Sequence, residues 1–159
     1  MTKEELKLRT KQFALKIIKL VEDLPNSKAG NTIGYQLIRS GTSVAANYRT
    51  ACRARSSADF ISKIAVVEEE CDESLFWLEM IRDANLMDKN KLEPVIREAD
   101  ELTAIFTASG KTAKQNNPKS QISNPQSAIR NPKFPTDTCP STPSSRPQDN
   151  SLYSAPLPS

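Results

Sequence analysis

Histidine is absent from the 159 residues of this chain. Its absence removes Ser-His and Cys-His nucleophile pairs and the Glu-x-x-His motifs of di-iron bundles. The 4 glycines build no phosphate-binding loop of either common type. Scarce glycine, with aromatics at 6%, also argues against a β-rich domain, which needs turn glycines and aromatic strands. No uncharged apolar run approaches the roughly 20 residues of a membrane span. The N-terminal stretch MTKEELKLRTKQF has no apolar segment of the signal-peptide kind. The 3 cysteines, Cys52, Cys71 and Cys139, are odd in number and lack metal-ligand spacing. They read as two small core residues and one tail thiol in a reducing compartment. The expectation is a cytoplasmic protein with no cofactor, no membrane contact and no enzymatic activity.

Charge and proline are both unevenly spread. Only Pro25 and Pro94 precede residue 115, and nine of the 11 prolines follow it. Residues 1–114 are rich in Ala, Leu, Ile, Glu, Lys and Arg, which lose little side-chain entropy in a helix. They carry 18 Lys and Arg against 17 Asp and Glu, a near-neutral balance. A strong general nucleic-acid binder is more basic than that, so any such site must come from local clustering or from repetition in an oligomer.

Four amphipathic segments are predicted. Thr2 and Glu5 fit a capping box that opens helix one. Leu6, Phe13, Ile17, Leu20, Val21 and Leu24 follow at near-helical spacing with one polar gap, and Pro25 ends the run. Ser27 or Asn26 caps helix two, expected over 28–54, with Gly41 marking a kink or a close helix approach. A tight turn at Ser56-Ser57 leads into helix three, about 58–84, with Glu68 on its apolar stripe. Asp88 caps helix four, about 89–108, and Gly110 is the expected stop. Short connections between four such helices predict an all-α, antiparallel, up-down-up-down four-helix bundle over 1–114.

The pattern vanishes over 115–159. Asn-Pro recurs at 117–118, 124–125 and 131–132, and the remainder is rich in Pro, Ser and Thr. Proline in every seven-residue unit excludes a coiled coil, and the units hold too little apolar surface to stack. This reads as a disordered tail without a function of its own.

Candidate site residues fall into three groups. Arg39, Arg49, Arg53, Arg55 and Lys63 form a basic cluster that fits phosphate contact, with Tyr48 available to stack on a base. The alternative for those cations is salt bridges to the acids of helix three or to a neighbouring subunit. Glu68 needs a partner if buried, and helix two offers Asn47, Arg49 or Arg53. Glu69 and Glu73, at i,i+4, are the best remaining metal pair, though a solvated acidic face is the simpler reading. Four consecutive apolar residues, Leu75-Phe76-Trp77-Leu78, cover more than one helix side, so Phe76 and Trp77 suggest a subunit interface.

The stretch LIRSGTSVAANYRTACRARSSADFISKIAVVEEECDESLFWLEMIRDANLM, followed by EADELTAIFTASGKT, resembles the four-helix-bundle family of 23S ribosomal RNA intervening-sequence proteins. The resemblance covers about residues 5–114. Its most specific parts are Arg39 with the small residues up to Ala46-Asn47, and Glu69 or Glu70 leading into Glu73-Ser74-Leu75-Phe76-Trp77-Leu78. It implies a bacterial, cytoplasmic four-helix subunit. Family members, and the similar accessory proteins of diversity-generating retroelements, look like ring-forming pentamers with basic surfaces. Some are encoded within insertions in ribosomal RNA genes, which implies RNA association. The functional expectation is therefore a homo-oligomeric RNA- or ribonucleoprotein-binding module; the alternative is a self-assembling protein scaffold without nucleic-acid contact.

The boundary at residue 114 is testable. Truncation there should leave a mostly helical far-UV circular dichroism spectrum and an unchanged cooperative unfolding transition; loss of either would show that the bundle needs the residues beyond.

Overall fold

The computed structural model describes residues 1–117. The predicted tail from 118 onward, with its Asn-Pro repeat and Cys139, lies outside the described residues. Within them the chain forms α1 (Lys3–Glu22), α2 (Lys28–Ala51), α3 (Ser57–Asp83) and α4 (Lys89–Gln115). Neighbouring helices pack in the order α1–α2–α3–α4, and α4 returns to α1. That is the up-down-up-down bundle, with α1 and α3 on one diagonal and α2 and α4 on the other.

Each start follows from a side-chain cap. The Thr2 hydroxyl accepts from the Glu5 amide at 3.2 Å, and the Glu5 carboxylate accepts from the Thr2 amide at 2.6 Å. Ser27 accepts from the Gly30 amide and Ser56 from the Asp59 amide. Such caps satisfy amides that have no partner within the helix, and each contributes about 1 kcal/mol. At the end of α3, Asn85 adopts φ 52°. Its amide bonds Arg82 and the Leu86 amide bonds Ile81, the two-bond closure of a Schellman motif.

Two boundaries differ from expectation. α2 ends at Ala51, so Cys52 to Ser56 forms the connection to α3 in place of a tight two-serine turn. Arg53 and Arg55 therefore sit in that connection, not on a helix. α4 passes through Gly110 and continues to Gln115. Gly110 is buried against Ile64 and keeps an ordinary helical φ, so nothing there turns the chain out. The helix stops where Asn117 precedes Pro118, whose ring disfavours helical geometry in the residue before it.

Phe13, Ile17, Leu37, Val44, Ile64, Leu78, Leu102 and Phe106 form the centre of the core, each at most 1% exposed. The stripe of α3 is rotated from the predicted one. Val67 and Ser74 face inward, while Glu68 sits at the edge. Ser74 and Ser40 are fully buried and hydrogen-bond each other at 3.0 Å, with further bonds to main-chain carbonyls one turn back. The polar gap in α1 is Thr10, buried with its hydroxyl on the Lys7 carbonyl. Cys71 is also buried, and burial followed by the nearby carboxylates pushes its thiol pKa up to about 12. The α1–α4 seam has an ionic clamp: Arg9 grips Glu98 with two hydrogen bonds, at 2.8 and 3.2 Å, and also reaches Glu101.

Gly41 resolves as a close helix approach. A Cβ built there would lie 2.9 Å from Ile17 Cγ1 and 3.0 Å from its Cγ2. Gly41→Val adds two further carbons against the same side chain, which is itself fully buried. Overpacking of this kind costs about 1–3 kcal/mol. The urea midpoint of Gly41→Val should fall accordingly, with little change in the denaturant slope.

Candidate nucleic-acid interface

The basic residues do not form one cluster. Arg49 and Arg53 line a groove of about 700 Å³ between α1 and α2, together with Lys7, Leu8, Lys11, Ala45 and Ala46. Its floor is apolar, its rim carries four cations, and no acid lines it. Among the described residues neither Arg49 nor Arg53 has an ion-pair partner. Arg53 also borders a second depression with Thr50, Arg55, Asp59 and Lys63 at the α2–α3 connection. Lys63 is there bonded to Asp59, and the Asp59 carboxylate also accepts from the Arg55 amide at 2.9 Å. Those contacts, the lysine first, hold the Asp59 pKa below the usual range.

Arg39 stands apart from this groove. Its guanidinium donates to Glu73 at 2.6 Å, and the Trp77 indole N–H donates to the same carboxylate oxygen at 3.2 Å. This bridge ties α2 to α3 at the register set by Ser40 and Ser74 one residue further on. It also occupies Glu73, so Glu69 and Glu73 do not act as an isolated pair. Among the described residues no three acidic or thiol groups converge as metal ligands would.

Tyr48 cannot stack on a base. Its ring is buried, 6% exposed, and packs against Phe106 at a centroid distance of 5.2 Å. Burial first, and the neighbouring Cys52 thiol second, push its hydroxyl pKa upward. Helical phase explains the difference: Tyr48 follows Gly41 by two turns and Val44 by one, on the inward line of α2. Glu68 likewise takes another partner than Asn47. It is half-buried and accepts from the Thr107 hydroxyl on α4 at 2.6 Å. The rotation of the α3 stripe turns Glu68 towards α4, while Asn47 stays on the half-buried edge of α2.

Phe76 is 50% exposed and meets Trp77 edge-on at 4.9 Å. Trp77 is half-buried and held by Glu73. Glu70, on the same side of α3, has a buried Oε2 without a hydrogen-bond partner. Burial first, then Glu73, raise its pKa.

Two functional features escaped the sequence reading. The first is Lys7, Leu8 and Lys11, which belong to the groove only because antiparallel packing sets α1 beside the end of α2. The second is countable in the sequence itself. Residues 1–55 hold 11 Lys and Arg and four Asp and Glu, whereas 56–117 hold seven and 13. The near-neutral bundle is therefore a +7 layer, α1 with α2, packed on a −6 layer, α3 with α4. A single sum over the domain conceals this division.

An antiparallel four-helix bundle with one basic and one acidic layer defines the class. The chain belongs to the 23S rRNA-intervening sequence protein family, which it matches over residues 4–108. Among solved structures it is similar to a protein of unknown function from the S23 ribosomal protein family of Bacteroides thetaiotaomicron. The two share 30% identity over 70% of this chain and 99% of the other, with a TM-score of 0.64. No curated protein matches. Among the described residues no helix is long and apolar enough to cross a membrane.

Glu70 gives a test of the local electrostatics. A carboxylate with a raised pKa in the folded state contributes stability at low pH that is lost as pH rises through that value. Glu70→Gln should therefore unfold at a higher temperature than wild type at pH 7. The difference should vanish below the ordinary glutamate range near 4. A lower midpoint at pH 7 would show that the Arg39 attraction outweighs burial.

Proposed function

We propose that this chain is a non-enzymatic, homo-oligomeric, RNA- or ribonucleoprotein-associated binding module that contacts phosphate through its α1–α2 layer. The observation that carries the proposal is the groove whose rim holds Lys7, Lys11, Arg49 and Arg53, with no acid in its wall. Membership of a family named for the 23S rRNA intervening sequence supports the choice of RNA as the polyanion. With Tyr48 in the core, no aromatic side chain lines the groove, so the contact is to the backbone and blind to sequence.

Four phosphate contacts give an affinity that falls about a hundredfold between about 50 mM and about 200 mM salt. Repetition of the groove around an oligomer converts weak contacts into avidity where the RNA reaches several copies. The expected result is salt-sensitive binding of structured and single-stranded RNA alike. The Arg49→Ala, Arg53→Ala double substitution should lower the salt slope by roughly two and leave the oligomer intact.

The Arg39–Glu73 bridge favours a second reading, a protein scaffold in which arginines are structural. That reading takes over if the wild type binds no RNA at low salt, or if the double substitution dissolves the oligomer.

A further inference from the structure

Arg53 borders two concavities at once, the α1–α2 groove and the depression at the α2–α3 connection. The depression measures about 560 Å³, and Thr50, Arg55, Asp59 and Lys63 complete its wall. Through Arg53 the groove therefore continues into it. On its other side the groove is bridged: Lys3, one turn before Lys7 on α1, donates its ammonium to the Cys52 carbonyl at 2.6 Å. A strand lying along the groove leaves it past Arg53, into the depression.

Asp59 organises the depression. One of its carboxylate oxygens accepts from the Arg55 amide at 2.9 Å, and the other accepts from the Lys63 ammonium. It thereby fixes the backbone at Arg55 and the position of Lys63, one turn further along α3. An ammonium has three donors, so Lys63 keeps two for another partner. Arg53 and Arg55 are exposed, and among the described residues neither side chain enters a salt bridge. The Thr50 hydroxyl is committed to the Ala46 carbonyl at 3.2 Å and serves only as wall. Three cations against one carboxylate leave a balance of +2 in this one depression. Asp59 and Lys63 lie in the first two turns of α3, at the positive end of a helix of 27 residues, which favours an anion further.

An internal phosphate of a nucleic-acid strand carries a single negative charge. A phosphate monoester carries about −1.5 to −2 at pH 7, with a second pKa of about 6 and three acceptor oxygens. The +2 balance and the three cationic side chains around one depression match the monoester better than the internal phosphate. The geometry points to a subsite for a terminal phosphate: the depression holds the monoester at the end of an RNA strand whose internal phosphates lie along the α1–α2 groove. Arg55 and Lys63 contact the terminal group, Arg53 is shared between depression and groove, and Asp59 is a positioning residue. This inference rests on the RNA contact of the proposed function and adds the chemical end that the protein selects.

The test titrates the full chain with one short single-stranded RNA, labelled internally, in three forms: 5′-phosphate, 3′-phosphate, and hydroxyl at both ends. Fluorescence anisotropy at about 50 mM salt reads the affinity. At least one phosphorylated form should bind about tenfold more tightly than the hydroxyl-ended one. That advantage should shrink several-fold between about pH 7.5 and about pH 5.5, where the monoester loses a charge while arginine, lysine and aspartate keep theirs. Arg55→Ala should abolish the advantage and leave the hydroxyl-ended affinity unchanged. Lys7→Ala should weaken all three forms alike and keep their ratio. Circular dichroism verifies that both variants retain their helicity. Adenosine monophosphate alone tests the other source of a monoester: it should bind far more weakly than the phosphorylated RNA, because it does not reach the groove. Binding as tight as that RNA would make a free nucleotide the occupant and overturn the strand-end assignment. If the three RNAs bind equally, if the advantage ignores pH, or if Arg55→Ala weakens all three alike, no end is selected and the inference fails while the proposed RNA contact stands. If no RNA binds at all, the two fall together.

Discussion

The bundle depends on α2 being thin. Gly34 and Gly41 stand seven residues apart on the side facing α1, with the side chains of Val21 and Ile17 filling the space a Cβ would take. Ser40 faces α3 and meets Ser74 there. Small residues on both flanks let two neighbouring helices approach α2 closely, and each helical glycine costs about 1 kcal/mol in propensity to allow it. Burial of Ile17, fully enclosed, contributes about 1.5–3 kcal/mol in return. The buried serine pair also has a positional effect. An unsatisfied hydroxyl in the core is costly, so sliding α3 along α2 by a turn would strand both groups. The Arg39–Glu73 bridge lies one residue away in the same register and reinforces it on the outside.

That arrangement explains what could be read in the chain and what could not. Caps and breakers are local, so Thr2 with Glu5 and Asp88 mark their helix starts, and of the open choices Asn26 or Ser27 and the Ser56-Ser57 pair it is Ser27 and Ser56 that cap. Gly110 misled because glycine ends a helix only where the chain takes a left-handed turn, and here Asn85 does that at a different helix. Glu68 misled for a related reason: α3 has apolar residues on several sides, and a rotation of one residue exchanges Val67 for Glu68 on the inward line. The site was less legible because it is made by pairing. Arg49 and Arg53 were visible as cations, but their company of Lys7, Leu8 and Lys11 comes from α1, a whole helix earlier in the chain. Tyr48 adjoins Arg49 in the chain, but a helix turns neighbours about 100° apart, so Tyr48 enters the core while Arg49 stays exposed.

The proposed function rests on how charge is divided among layers more than on any single residue. α1 and α2 collect cations, α3 and α4 collect carboxylates, and the cross-layer contacts Arg9–Glu98, Arg39–Glu73 and Lys91–Asp23 join them along the seams. These pairs are partly or largely exposed and individually contribute little. Collectively they satisfy charges at the edges and leave the middle of each layer unneutralised, which is where the groove of α1–α2 and the acidic face of α3 are found. The family membership is carried by residues 4–108, the part of the chain that forms both charged layers.

The divided layers give the folded domain a large permanent dipole moment in spite of its small monopole. Six charges separated by the roughly 10 Å between packed helix layers amount to a dipole on the order of 300 debye, against about 3.5 for a single peptide unit. Such a molecule feels little net pull from a distant polyanion but a strong torque near one. Under the proposed function, that torque turns α1 and α2 toward the polyanion before contact and selects encounters by orientation, without the indiscriminate stickiness that a highly cationic protein carries.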